Sequence, residues 1–199
     1  MKKWFLTLIL LAVMSSLAFA DDCVDDEGCN NPPWDSSQVT LDYSIDCFMT
    51  VFYKFRTVNC NGQLIHQFRI TSTIRGVDHT CAWLSNGPAA LEAAIEDILG
   101  DPTKTPFPDD FPGPDSCNTN YVVSQAACWE QVERPTGPQG AGLYAYPCDD
   151  SPNCCKPYEV CVSPEPEAIV TVTALPYDPQ SCVGVIGDES GQPCYQYCP

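Results

Sequence analysis

Fourteen cysteines carry most of the chemistry open to this chain: Cys23, Cys29, Cys47, Cys60, Cys81, Cys117, Cys128, Cys148, Cys154, Cys155, Cys161, Cys182, Cys194 and Cys198. A cysteine can be a nucleophile, a metal ligand or half of a disulfide, and spacing helps to choose among these roles. No C-x-x-C pair occurs, which argues against a zinc site and against a paired-thiol redox centre. C-x-x-C-H is also missing, so covalent haem is not expected. An even number of cysteines in an exported chain reads as a disulfide framework. Neighbouring Cys154 and Cys155 in SPNCCKPYEVC cannot bridge each other without strain, because consecutive Cα atoms lie about 3.8 Å apart. Each must therefore reach a different partner, joining two elements to one point. Cys148 and Cys161 are the nearest candidates; Cys182, Cys194 and Cys198 lie further off.

The remaining reactive residues give no catalytic pattern. His66 falls on the apolar face of a predicted strand, where a hydrogen-bonded structural role is expected. His79 follows Asp78 in a loop, and adjacency in sequence does not make two side chains face each other. G-x-S-x-G, H-E-x-x-H, the phosphate-binding loop and the dinucleotide fingerprint are all absent. No catalytic residue, cofactor-binding residue or metal ligand is therefore predicted. Acidic clusters at Asp21, Asp22, Asp25, Asp26 and Glu27, and at Asp109, Asp110 and Asp115, could at most bind calcium weakly, because neither has EF-hand spacing. Trp34, Trp83 and Trp129 could stack on sugars, although Trp129 beside Cys128 suits packing around a disulfide.

Charge narrows the partners. Nine basic and 26 acidic residues give a formal net charge of −17, which opposes binding to nucleic acid or anionic lipid. The opening MKKWFLTLILLAVMSSLAFA has a basic start, an apolar run and a small-x-small end, and reads as a signal peptide of bacterial type over residues 1–20. Two aspartates follow it, where a lipoprotein would have cysteine. No later segment is long and apolar enough to span a membrane. A secreted, extracellular or cell-surface location is expected.

Several elements must position these residues. Residues 21–46 form an acidic amino-terminal arm, with an expected Cys23–Cys29 loop and a β-like QVTLDYSI. Residues 47–100 hold a hairpin and a helix. In the hairpin, Asn61-Gly62 suits a type I′ turn. That turn sets Phe55 against Phe68, Tyr53 against Ile70, Thr57 against His66, Val51 against Ser72 and Met49 against Ile74, with Lys54 opposite Arg69. Thr50, Lys54, Arg56, Gln67, Arg69 and Thr71 take the polar face. Cys47 and Cys60 point to opposite faces about 40 Å apart, so Cys47 is expected to pair with Cys81 and Cys60 with another partner.

Gly87 is the expected cap of a short amphipathic surface helix near residues 88–99, and Gly100-Asp101-Pro102 ends it. A proline-rich connector, 101–116, follows. Residues 117–199 read as two further cysteine-bounded hairpins, YVVSQAA with GLYAY and YEV with AIVTVTAL, and a stapled tail, in one domain with 47–100 or a separate one. The expected fold is mainly β, disulfide-rich hairpins in small sheets or a sandwich with one helix.

The leading functional reading is a non-enzymatic extracellular structural or adhesive protein, a self-assembling surface, matrix or filament subunit whose arm adds to a neighbour's sheet. The alternative is a glycan- or protein-binding module, including a protease inhibitor presenting a rigid loop such as Glu133 to Gly142. A small secreted hydrolase ranks third.

Overall fold

Alternating apolar and polar residues along DSSQVTLDYS, CFMTVFYKFRTVNC and QLIHQFRITSTIR build an antiparallel meander of β1 (Asp35–Ser44), β2 (Cys47–Cys60) and β3 (Gln63–Arg75). The computed structural model describes residues 23, 28–44, 47–75, 86–135, 142–149, 151–164 and 169–198. Asn61 and Gly62 take φ values of 53° and 93°, the two left-handed residues that a type I′ turn requires. From that turn back to Tyr53 opposite Ile70, the register is the expected one.

Beyond Tyr53 it slips by one residue. Phe52 faces Ser72, leaving Thr71 as a bulge whose hydroxyl donates to the Phe52 carbonyl at 3.1 Å. Val51 therefore faces Thr73 rather than Ser72, and Met49 faces Arg75 rather than Ile74. Thr71 and Ser72 are both small hydroxyl residues that suit either face, so alternation could not reveal the bulge.

The hairpin's outer face is not all solvated as expected. Arg56 and Gln67 are buried because residues 28–34 fold back across them. Cys29 bonds to Cys60 rather than to Cys23, and Asn30 and Asn61 add backbone bonds to Asn59 and Gly28. Arg56 donates to Asn31 Oδ1 and to the Pro32 carbonyl, and its guanidinium stacks 4.5 Å above the Trp34 ring. Arg69, opposite Lys54, lies 5.3 Å from the same ring and donates to Ser124 Oγ, so the like-charged pair is drawn apart.

The other strands are β4 (Ser116–Ala126), β5 (Cys128–Arg134), β6 (Gly142–Pro147), β7 (Asn153–Val162), β8 (Val170–Ala174) and β9 (Tyr195–Gln196). β7 and β8 form the expected hairpin. The expected pairing of YVVSQAA with GLYAY does not form: β6 pairs with β5, and β4 pairs with β7 and β3. WEQVER, not among the expected strands, is part of β5, and its three charges hide the pattern. All nine strands belong to one curled sheet.

β3 sits at its centre and has no single partner along its second edge. Its first half pairs in parallel with β4 over His66–Phe68, and its end pairs antiparallel with β6 over Thr73–Arg75. In the gap, Ile70 N–H donates to the buried Gln125 Oε1 at 3.0 Å, a side chain standing in for a missing strand.

The curl wraps α1 (Gly87–Leu99). Asn86, not Gly87, is its cap, its side chain accepting from Ala89 N. Leu91, Ile95, Ile98 and Leu99 are buried against Met49, Val51, Phe68, Val123 and Tyr158. The helix's acids reach both sides of the curl: Asp97 lies beside the Tyr43 hydroxyl of β1, and Glu92 takes bonds from Lys156 at 2.7 Å, Tyr158 at 2.8 Å and Tyr197 at 3.0 Å. No helix among the described residues is long and apolar enough to cross a membrane.

After β8 the chain is mostly irregular, and disulfides hold it. Cys128–Cys182, Cys148–Cys194 and Cys154–Cys198 tie the tail to β5, to the end of β6 and to β7. Cys155 bonds to Cys23, replacing the expected Cys23–Cys29 loop, and Cys117 bonds to Cys161 directly across β4 and β7. Cys47 is disulfide-bonded too; its expected partner Cys81 lies outside the described residues. Successive strand residues face opposite ways, which is why Cys154 and Cys155 reach different ends of the chain. Bridges spanning 44 to 54 residues each constrain the unfolded chain by about 4 kcal/mol. Cys154→Ser should therefore free Cys198, and Cys155→Ser should free Cys23, each lowering stability by about 2–5 kcal/mol. Thiol mapping by mass spectrometry with urea unfolding checks both; a free thiol elsewhere would disprove this connectivity.

Candidate functional site

The β2–β3 register brings a hydroxyl, an imidazole and a carboxylate into line. Thr57 faces His66 across the hairpin, its Oγ1 3.1 Å from Nδ1. The proline-rich connector delivers Asp110, whose Oδ2 lies 3.5 Å from His66 Nε2. Hydroxyl, imidazole and carboxylate in this order are the parts of a hydrolytic triad.

The surroundings argue against catalysis. His66 is 1 % exposed, with Phe107 and Tyr121 rings centred 4.6 and 5.3 Å away. Asp110 also anchors the connector through its backbone, its carbonyl accepting from Asn118 Nδ2 at 3.0 Å and from the Tyr121 hydroxyl at 3.2 Å. Burial, and then the Asp110 charge, push the Tyr121 phenol up to about 12. The constellation is a latch that docks the connector on β2, β3 and β4.

The other predicted residues are dispersed. Asp109 and Asp115 are exposed in the connector, with Asp115 at a φ of 57° in its turn. Asp21, Asp22, Asp25, Asp26, Glu27, His79 and Trp83 lie outside the described residues. Trp34 carries two guanidinium groups on its ring, and Trp129 is fully buried with Nε1 donating to the Ala126 carbonyl. Trp129 offers no free stacking face. Cys117, Glu159 and Cys161 approach one another closely enough for a metal, but the two sulfurs are already bonded to each other. Of the loop Glu133 to Gly142, the ends belong to β5 and β6, and residues 136–141 lie outside the described residues.

Two cavities lie elsewhere among the described residues. One, about 340 Å³, lies at the carboxyl end of α1 between Glu96, Asp97, Asp101, Lys104 and two β8 valines. Burial, with Glu92 and Asp97 nearby, raises the Glu96 pKa; hydrogen bonds from Thr103 and Lys104 hold Asp101 at about 2. The other, about 430 Å³, adjoins the Cys23–Cys155 bridge and is bordered by Pro157, Pro176 and Tyr177.

The sheet's ends are the more distinctive feature. Among the described residues β1 pairs only with β2, and β8 only with β7, so each leaves one edge unpaired by them. β8 reads Val-Thr-Val-Thr-Ala, without a charge, and Ile169 just before it is 64 % exposed. Natural edges are usually guarded by lysine, proline or a bulge. This one is bare.

Among the described residues, fold and site together define a disulfide-stapled protein built on one curled, nine-stranded sheet around the helix α1. Comparison with protein-family models, with curated proteins and with solved structures returns no match.

The latch has a pH signature. Burial pushes His66 below its ordinary 6.5, and Asp110 only partly opposes this. Between the folded value and 6.5 the unfolded chain binds the proton and the folded chain does not, so stability falls on acidification through that window. Urea midpoints should drop between pH 7.5 and pH 5 in the wild type, and His66→Gln should remove that part of the drop. An unchanged slope in the variant would rule the latch out as its source.

Proposed function

We propose that this chain is a secreted, non-enzymatic structural protein of an extracellular surface or matrix, associating with further copies of itself by sheet-edge pairing. The observation that carries this reading is β8, an uncharged Val/Thr edge strand with no device against pairing. The rest of the molecule suits the role. Its disulfides, interleaved between strands and tail, resist unfolding outside a reducing compartment. The hydroxyl–imidazole–carboxylate group at His66 is spent on docking a loop.

Self-association is favoured over a foreign partner by charge. The acidic surface makes two copies repel wherever charged faces meet, and β8 is a stretch on which two copies can meet without opposing carboxylates. The segment QVTLDYSI, expected to reach into a neighbour, pairs with β2 of its own chain as β1. Contact between copies is therefore assigned to β8.

Thr171 and Thr173 are exposed on this strand, and Thr171→Glu with Thr173→Glu would set like charges across a β8–β8 pair. Sedimentation should show the wild type as dimers or larger species and the double variant as monomer, with melting temperatures within a few degrees of each other. A wild-type protein monomeric at every concentration would overturn the reading.

A further inference from the structure

Cations in this molecule are few and mostly turned inward. Lys156 has Glu92, Lys104 has Asp101 and Arg134 has Glu189. Arg75 differs. It is 1 % exposed, and its Nε and Nη1 make no hydrogen bond. Among the described residues, the titratable group near enough to act on its charge is Tyr195, whose phenol burial keeps neutral with its pKa pushed up to about 12. Guanidinium does not deprotonate in proteins, and a buried charge without a counter-charge is heavily penalised.

The neighbourhood supplies donors rather than acceptors. Arg75 on β3 pairs with Leu143 on β6, Gln131 on β5 pairs with Ala145, and Tyr195 on β9 pairs with Trp129, so strand parity puts all three side chains on one face. The Gln131 amide nitrogen and the Tyr195 hydroxyl are also buried without a well-formed hydrogen bond, although they lie close enough for the amide to favour the phenolate. The amino end of α1 stands directly over them: a Cβ on Gly87 would overlap the Tyr195 ring and come within 2.7 Å of Gln131 Nε2. The positive end of the helix dipole therefore meets an amide N–H and a phenolic O–H, and beside that phenol lies a guanidinium with no carboxylate partner among the described residues. Their common missing partner is negative and rich in acceptors.

We infer that Arg75, Gln131 and Tyr195, beneath the amino end of α1, form a buried receptor for a small monocarboxylate. One guanidinium neutralises one negative charge, so a singly charged carboxylate satisfies the site, whereas a dianion would leave a net charge buried. Carboxylate oxygens can also accept from all three donor types at once.

The test uses the full, disulfide-intact chain titrated with 13C-acetate and followed by NMR, with chloride holding ionic strength constant. Saturable binding is expected, weakened about tenfold or more by Arg75→Met and several-fold by Gln131→Ala, which keeps the guanidinium and the fold. Thermal unfolding should rise with acetate in the wild type and not in Arg75→Met. Sulfate at equal ionic strength should stabilise less. Acetate that neither saturates nor stabilises, equal response in Arg75→Met, or sulfate outperforming acetate would each overturn the assignment. If Arg75→Met fails to fold, an unchanged affinity in Gln131→Ala overturns it alone.

Discussion

β3 has two hydrogen-bonding edges and only one full-length neighbour. A central strand cannot leave N–H groups buried and unpaired, because each costs on the order of 1–3 kcal/mol. Here β4 covers three residues of the second edge, β6 covers three more, and Gln125 spans part of the interval with a side-chain carbonyl. The junction sends the sheet in two directions, β4–β7–β8 and β6–β5–β9, from the same strand. A sheet that forks and twists cannot stay flat, and the hollow it makes is filled by α1. Glu92 then fastens that helix to β7 and to the tail.

The fork explains the distribution of disulfides. Each branch ends in a short strand, β8 or β9, and the last of these has only two residues. Backbone pairing of that length cannot hold an irregular tail. The tail nevertheless places Tyr197 and Cys198 in the core, and covalent closure over long loops supplies what pairing does not.

Local features were legible in the sequence where turn and pattern agreed. The Asn61-Gly62 hairpin, the helix face of Leu91, Ile95, Ile98 and Leu99, and the β7–β8 hairpin all rest on short-range signals. What was missed is non-local or compensated. The parallel β3–β4 contact joins residues more than fifty positions apart and leaves no periodicity in either strand. The bulge at Thr71 is hidden by a second hydroxyl residue beside it. Cysteine spacing could say that Cys154 and Cys155 diverge, but Cys23 becomes the partner of Cys155 only once the sheet has curled. The His66 group was half legible: its apolar position was readable from alternation, whereas Asp110 comes from a connector whose path no local rule describes. Arg75 gave no signal at all, since an arginine ending a strand is ordinarily solvated.

The inward turn of the cations changes what the outside world meets. Arg56, Arg75 and Lys156 are buried, Arg69, Lys104 and Arg134 are partly so, and among the described residues only Lys54 is an exposed cation, in the middle of a strand paired on both sides. Trypsin-like enzymes need a basic side chain on a backbone that can be pulled into an extended, unpaired loop. This molecule's scissile bonds for such enzymes are locked in strands, buried or fixed beside an acid, so a common class of digestive protease has almost no foothold on the intact fold.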